Sequence, residues 1–294
     1  MESIKDKLKS NRPHLSDSSI KTYCSCLNSL HKQLHPDEEI VIGEFDDVTN
    51  IINHLKDIPY NKRKTCLAAL VVLTGELKFN ELMMADIKTW NNNELLQKKD
   101  GKFEENMIPK SEVDIVINKA AVIANLLYKK PDINTRDMID IQNYILLCLT
   151  TGKYIAPRRS QDWEMKYQKY DDKVENYVDM KKKQFVFNKY KTSKTYGQQI
   201  VEIPNELFMI LKKYIKFLDI AQDYLLFNNK GNPLNQTEIA HKLNNIFGKK
   251  ISTSMLRHVY ITDKYENVDL KAMTETATEM GNSVNVLMRY IKNK

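Results

Sequence analysis

The chain has 294 residues, 42% of them hydrophobic, which is enough for packed cores and favours two domains over one. Its formal net charge of +7 suits an anionic partner such as nucleic acid, although many soluble proteins are equally basic. The sequence has no apolar signal-peptide run and no apolar stretch of about 18 residues, so we expect an intracellular protein without a membrane span. Its four cysteines form no Cys-x-x-Cys pair, which indicates reduced thiols.

The first third of the chain is typical of a small bundle of four helices. Ser16 or Asp17 caps the first helix, and its apolar residues recur at helical spacing. These apolar residues are Ile20, Tyr23, Leu27 and Leu30. The other helices are expected over residues 48–55, 62–74 and 80–96, and Gly75 ends the third of the four.

A polar stretch follows the bundle and predicts a linker. Residues 100–110 contain Gly101 and Pro109 and show no hydrophobic periodicity. We therefore expect one domain over residues 1–99 and a second over residues 111–294.

The second domain is predicted to be mostly helical with a small β component. Helices are expected over residues 111–129, 135–151 and 205–218, and another begins near Thr237. Between them, residues 183–191 and 198–204 alternate in apolar content and flank a turn, which indicates a β-hairpin. The predicted fold class is mainly α with a small β-hairpin or sheet, that is, α+β.

Arginine is scarce in this lysine-rich chain, and its positions are informative. Seven of the 45 basic residues are arginine, and four of these fall in three short segments. The planar guanidinium fork binds phosphate through two hydrogen bonds, which lysine cannot match. The segments are Arg158–Asp162 (Arg-Arg-Ser-Gln-Asp), Ser254–His258 (Ser-Met-Leu-Arg-His) and Arg289–Tyr290.

Two arginines, a hairpin lysine and a late tyrosine are the groups needed to break a DNA phosphodiester without a metal. Their order and spacing resemble the tyrosine recombinase/integrase family over roughly residues 13–291. The resemblance implies an N-terminal helical core-binding domain that clamps DNA, followed by an integrase-like catalytic domain. It also implies that no metal or cofactor is needed.

The resemblance assigns a role to each of these groups. Arg159, which begins Arg-x-x-Asp where the family has Arg-x-x-Glu, and Arg257 would clamp the phosphate, with Asp162 orienting Arg159. Arg158 would then contact the DNA backbone or a surface acid. His258 belongs to the Leu-Arg-His motif and is expected to have a structural role.

Lys191 is implied to be the general acid that protonates the leaving 5′ oxygen, with Lys189 and Lys194 as rivals. Tyr290 is implied to be the nucleophile. A phenol has an intrinsic pKa of about 10, so we expect positive charge beside it from Arg257 and Arg289. Tyr260 and Tyr265 are poorer candidates because they lie too close to Arg257 in sequence.

Two positions depart from the family pattern. Ser254 stands where the family has the His of His-x-x-Arg, and Asn282 stands where Leu-Gly-His-Ser has His or Trp. Both side chains can hydrogen-bond a phosphate oxygen, but neither supplies a proton near neutral pH. General acid–base help contributes about 10²–10⁴ in rate, so a slow enzyme is expected.

The resemblance implies site-specific DNA recombination or integration through a 3′-phosphotyrosyl intermediate. The implied partner is double-stranded DNA, bound by a protein that is a monomer in solution and a homotetramer on DNA. A virus or mobile element is the commonest source of such enzymes, and the protein would act wherever that DNA lies. Two alternatives stay open: a type IB topoisomerase-like enzyme, and a DNA-binding protein with the same fold and impaired cleavage. A metal-dependent nuclease is disfavoured because the sequence contains no clustered carboxylate motif.

Overall fold

The computed structural model describes residues 3–95, 101–218, 221–265 and 270–291. The chain separates into two compact units, Met1–Leu96 and Gln97–Lys294, and the hydrophobic cores of the two units are separate clusters. Within these described ranges, no helix has the length and apolar character needed to cross a lipid bilayer.

The first unit is a helical bundle built around one buried helix. Its described residues form α1 (Ile4–Asn11), α2 (Asp17–Leu34), α3 (Val48–Leu55), α4 (Tyr60–Thr74) and α5 (Leu77–Leu95), with a 3₁₀ turn at Ile42–Asp46. Helix α4 contacts α1, α2 and α5 and buries Leu67, Leu70 and Leu73 almost completely. The bundle is therefore organised by apolar burial around α4.

The end signals predicted for these helices have the expected geometry. The Ser16 hydroxyl accepts a hydrogen bond from the backbone N–H of Ser19 at 3.2 Å and so caps α2. Gly75 ends α4 with a φ of 77°, a left-handed conformation that glycine adopts without steric cost. Helix α1 was not predicted from the sequence, because a helix of eight residues whose only buried residue is Leu8 gives a weak periodic signal.

The second unit contains most of the helices. Its described residues form α6 (Gly101–Asn106), α7 (Lys110–Leu127), α8 (Thr135–Thr150), α9 (Ser193–Tyr196), α10 (Asn205–Ile215), α11 (Gln236–Phe247), α12 (Thr253–Lys264), α13 (Leu270–Glu279) and α14 (Val284–Met288). Helix α8 is buried at nearly every position of its C-terminal half, which makes it the central helix of this core.

One small mixed sheet lies within the second unit. Its strands are β1 (Met165–Lys166), β2 (Asn176–Asp179), β3 (Gln184–Phe187) and β4 (Gln199–Glu202), in the spatial order β1-β2-β3-β4. β1 pairs parallel to β2, and the other two pairings are antiparallel. The predicted hairpin is confirmed as β3–β4, with Phe185 opposite Val201. β1 and β2 were missed because they are short and polar residues interrupt them.

The predicted fold class, mainly α with a small sheet, is confirmed. The predicted linker differs from the structure, because helix α6 occupies part of residues 100–110 and the division between the units falls at Leu96 and Gln97. Residues 96–100 lie outside the described residues, as does part of the fourth predicted helix. The roles assigned to the two domains stay predictions.

Candidate active site

Arg159 is presented by a short turn that the sheet anchors. Its backbone is extended, with φ −70° and ψ 153°, and it directly precedes the 3₁₀ turn Ser160–Trp163. Trp163 is 1% exposed and meets Phe185 and Phe187 edge-on, at ring-centroid distances of 5.6 and 5.8 Å. The packing of Trp163 on β3 thus holds the turn in place, while the side chain of Arg159 is half-buried.

Asn282 is the direct partner of Arg159. Nη2 of Arg159 donates a hydrogen bond to Oδ1 of Asn282 at 3.0 Å. Gly281 has a φ of 64° and turns the chain between α13 and α14, which places Asn282 inward at 7% exposure. Nδ2 of Asn282 has no hydrogen-bond partner among the described residues. Asn282 therefore offers a buried donor beside the Arg159 guanidinium.

Arg257 lies one turn into α12 and faces Tyr290. Its guanidinium carbon is 4.5 Å from the Tyr290 ring centroid, within cation–π distance. Arg257 is 1% exposed, and its Nε and Nη2 have no hydrogen-bond partner in the described part of the chain. Burial is the main cause that lowers the pKa of Arg257 to about 10, and the nearby charge of Arg159 lowers it further. Arg257 is therefore a charged, desolvated fork at neutral pH.

Tyr290 is held through its backbone and its ring. Its carbonyl oxygen accepts a hydrogen bond from Nδ1 of His258 at 2.8 Å, and the two rings lie 4.7 Å apart. Because a carbonyl only accepts, Nδ1 of His258 carries a proton. Leu287 and Met280 belong to the small apolar cluster against which Tyr290 packs. His258 is thus hydrogen-bonded to the segment that carries Tyr290, and its structural role stays a prediction.

The two other candidate tyrosines, Tyr260 and Tyr265, belong to the same small apolar cluster as Tyr290. Tyr265 is buried and donates its hydroxyl to the Ala272 carbonyl at 2.5 Å. Tyr260 packs against Gly152, and its ring makes no cation–π contact with Arg257 in the described residues. Arg289 is half-buried at the end of α14, and the cation–π contact of the Tyr290 ring in the described residues is with Arg257.

Lys191 lies in the turn between β3 and β4, next to Thr192, which contacts the turn that carries Asn282. It is exposed and forms no ion pair with a described residue. Its neighbour Thr192 donates its hydroxyl to the Gly281 carbonyl at 3.0 Å, which ties the hairpin to the turn that carries Asn282. Of the rivals, Lys189 pairs with Glu164 at 3.3 Å, whereas Lys194 is exposed.

Ser254 lies in the first turn of α12, three residues before Arg257, and its side chain is exposed. The preceding residue, Thr253, hydrogen-bonds Ser160 through their hydroxyls at 2.8 Å. This bond joins the N-terminus of α12 to the segment that carries Arg159. The structure thus places Arg159 against Asn282 and Arg257 against Tyr290, and the bond between Thr253 and Ser160 joins the segments that carry the two arginines. Both Lys191 and Ser254 are exposed.

The sequence-based expectation for Arg158 is wrong. Arg158 is 1% exposed and its Nε donates to Oδ2 of Asp162, also 1% exposed, at 3.0 Å. It therefore reaches neither solvent nor a surface acid, and Asp162 orients Arg158 in place of Arg159. Burial lowers the pKa of Arg158 and raises the pKa of Asp162, while the charge of each partner opposes the shift of the other.

Sequence reasoning also missed Asn176, a buried residue of β2. Its Nδ2 donates to the carbonyls of Asp162 and Lys189, at 3.0 and 2.8 Å. Its Oδ1 accepts from the backbone N–H groups of Asn188 and Lys189, at 2.9 and 2.8 Å. One amide thus connects the Arg159 segment to the strand that leads to Lys191. The only sequence signal is an asparagine inside a strand, where that residue is depleted.

The described residues contain no group of three or more His, Cys, Asp or Glu side chains placed to hold a metal ion. The polar groups of the site are instead arginine and amide donors. An arrangement of this kind recognises an anion such as a phosphate.

Comparisons with known proteins give structural neighbours only. No family model matches the chain, and no curated protein is similar to it. Among solved structures, the chain is similar to "Crystal structure of XerA recombinase", with 14% identity, a TM-score of 0.44, and coverage of 99% of this chain and 93% of that one.

Two further similar structures are of XerH site-specific recombinase bound to its difH substrate. The pre-cleavage complex has 15% identity and a TM-score of 0.45, with coverage of 98% of this chain and 91% of that one. The post-cleavage complex with palindromic difH has 14% identity and a TM-score of 0.45, with coverage of 98% and 90%.

Proposed function

We propose that this protein is a tyrosine-type DNA recombinase or integrase that cuts and rejoins strands through a 3′-phosphotyrosyl intermediate. The observation that carries the proposal is the buried Arg257 guanidinium, which has two nitrogens without a hydrogen-bond partner among the described residues and lies against the Tyr290 ring.

Unpartnered buried donors are costly, and this cost argues for a ligand. A buried donor without a partner costs about 1–3 kcal/mol, and more when it is charged. Among the described residues, such donors are Nε and Nη2 of Arg257, Nη2 of Arg158 and Nδ2 of Asn282, and the half-buried Arg159 guanidinium adjoins Asn282. A phosphate group, with several acceptor oxygens and a negative charge, supplies acceptors for donors of this kind.

The chemistry follows from the groups around such a phosphate. Oη of Tyr290 attacks phosphorus, the new O–P bond forms, and the P–O5′ bond breaks. Arg159 and Arg257 stabilise the charge that develops on the phosphoryl oxygens. Lys191 donates a proton to the leaving 5′ oxygen, and the phenolic proton passes to solvent. Attack by a 5′-hydroxyl of a second duplex reverses the step and exchanges strands.

The proposed partner is double-stranded DNA, to which exposed lysines of the hairpin region would contribute non-specific affinity. By the family resemblance, the protein is a monomer in solution, assembles as a homotetramer on two duplexes, and acts where that DNA lies. A viral or mobile-element origin is part of the same proposal.

The second candidate is a DNA-binding protein of the same fold that cleaves poorly. Ser254 and Asn282 favour it, because neither side chain transfers a proton near neutral pH as an imidazole does. A topoisomerase IB-like enzyme differs from both candidates, since it would relax one supercoiled duplex without joining two.

Covalent trapping tests the proposal. The protein is incubated without metal with nicked suicide duplexes made from DNA that flanks its gene, and SDS-resistant protein–DNA adducts are measured. We expect an adduct with the wild type and none with Tyr290→Phe. DNA binding without any adduct supports the second candidate, and the absence of both argues against DNA as the substrate.

A further inference from the structure

Arg158 connects three segments that are far apart in sequence. Its Nε binds Asp162 in the 3₁₀ turn, and its Nη1 donates both to Oε1 of Gln199 in β4, at 2.9 Å, and to the carbonyl of Glu279 at the end of α13, at 2.8 Å. The guanidinium carbon lies 3.9 Å from the centroid of the Phe187 ring in β3. One buried side chain thus contacts the 3₁₀ turn, the hairpin and α13.

Each of these segments carries a different group of the candidate active site. Arg159 directly precedes the 3₁₀ turn, Lys191 lies between the two hairpin strands, and Asn282 follows α13 by three residues. The hairpin and α13 are also joined through Gln199, whose Nε2 donates to the Thr278 carbonyl at 3.1 Å.

We propose that Arg158 is a positioning residue of the site: it holds the hairpin with Lys191 and the turn with Asn282 at fixed places relative to Arg159. This inference rests on the proposed function. A guanidinium suits the task because its five N–H donors have a fixed planar arrangement, so bonds to three segments define their relative positions. The compact ammonium of lysine has no such planar array.

Loss of the Arg158 side chain is expected to affect the catalytic rate more than the DNA affinity. Displacing a reacting group by about 1 Å costs about 100-fold in rate even when the mutation lies away from the chemistry. DNA affinity comes from many phosphate contacts and depends weakly on any single buried residue. Loss of Arg158 should therefore lower the cleavage rate at saturating DNA and leave the dissociation constant nearly unchanged.

The experiment compares Arg158→Met, Arg158→Lys and Gln199→Met with the control Arg136→Met, which removes an arginine whose side chain is 81% exposed. Adduct formation at saturating DNA and the DNA dissociation constant are measured for each variant. We expect Arg158→Met and Arg158→Lys to form adducts about 100-fold more slowly and to bind DNA within about threefold of the wild type. A rate for Arg158→Met equal to that of the control overturns the proposal.

Hydrogen–deuterium exchange without DNA separates this inference from the proposed function. We expect faster exchange in residues 188–199 and 279–283 of the variants, with helix α11 unchanged. Uniform acceleration throughout the second unit indicates general destabilisation and overturns the positioning role. If Arg158→Met does not fold, Gln199→Met decides, since it removes only the hairpin's bonds to Arg158 and Thr278. If the wild type forms no adduct, the proposed function fails, while the exchange pattern still decides whether Arg158 holds these segments.

Discussion

The guanidinium carbon of Arg257 lies 4.5 Å from the centroid of the Tyr290 ring, although 33 residues (from 257 to 290) separate them in sequence. The ring packs against a buried guanidinium whose Nε and Nη2 find no acceptor among the described residues. A phenol thus lies next to the guanidinium that we propose binds a phosphate, and each prediction below tests part of that proposal.

Tyr290→Phe should abolish covalent DNA capture and leave DNA binding within about twofold, because the change removes the nucleophilic oxygen but keeps the ring against Arg257. Tyr260→Phe is the matched control, since Tyr260 lies nearer Arg257 in sequence, while its described cation–π contact is with Lys264. The measurement is SDS-resistant adduct on suicide duplexes. Adduct formation that persists in Tyr290→Phe, or disappears in Tyr260→Phe, would contradict the assignment of the nucleophile.

Arg159→Ala and Arg257→Ala should each slow cleavage by about 10²–10³, or about 3 kcal/mol, because each removes donors aimed at charge that develops in the transition state. Arg136→Ala, at an exposed position of α8, is the control and should have no effect. Single-turnover cleavage rates at saturating DNA give the comparison. A loss of tenfold or less in either active-site variant argues against the arginine clamp.

Sulfate, as a phosphate mimic, should stabilise the folded protein through Arg257. At a concentration of about ten times its dissociation constant, a ligand that binds only the native state adds about 1.4 kcal/mol. Sulfate also stabilises proteins generally by exclusion from their surface, so the informative quantity is the difference between variants. Thermal unfolding of wild type and Arg257→Gln at pH 7 measures it, and equal sulfate-dependent shifts in Tm would refute an anion site at Arg257.

Lys191→Ala should slow cleavage of ordinary DNA by about 10²–10⁴, the usual contribution of a general acid. A substrate with sulfur in place of the bridging 5′ oxygen should restore most of the rate, because a thiolate leaves without protonation. Lys189→Ala and Lys194→Ala are the controls, since both lysines lie near Lys191 on the same hairpin. Restoration by sulfur in one of these controls, and not in Lys191→Ala, would transfer the role to that lysine.

Ser254→His should leave the cleavage rate unchanged or raise it. Ser254 is exposed in the first turn of α12, so an imidazole fits there without displacing the buried Arg257. An imidazole also adds a group that titrates near neutral pH. The pH–rate profile of the variant between about pH 5 and 8 is the measurement. Complete loss of cleavage would mean that the Ser254 hydroxyl itself belongs to the site.

Local patterns were sufficient for much of the fold. Ser16 and Gly75 predicted helix ends because capping depends on residues within one turn of the chain. The alternation on either side of residues 192–197 predicted the β3–β4 hairpin for the same reason. Strand β1 was missed because its pairing with β2 depends on residues about ten positions away, and two residues show no period.

Some features of the candidate site were likewise predicted from the sequence, and others depended on the tertiary structure. The sequence by itself determined which residue types the site contains and in what order, since Arg159, Arg257 and Tyr290 were selected by type and spacing. It assigned Arg158 to the DNA backbone or a surface acid, because only Arg159 has the Arg-x-x-Asp register. Only the tertiary structure decided that Arg158 is buried while Arg159 is half-exposed, because the acceptors that hold Arg158 include Gln199 and Glu279, 41 and 121 residues away. Burial of a charge depends on such distant partners, and they meet only when the chain has folded.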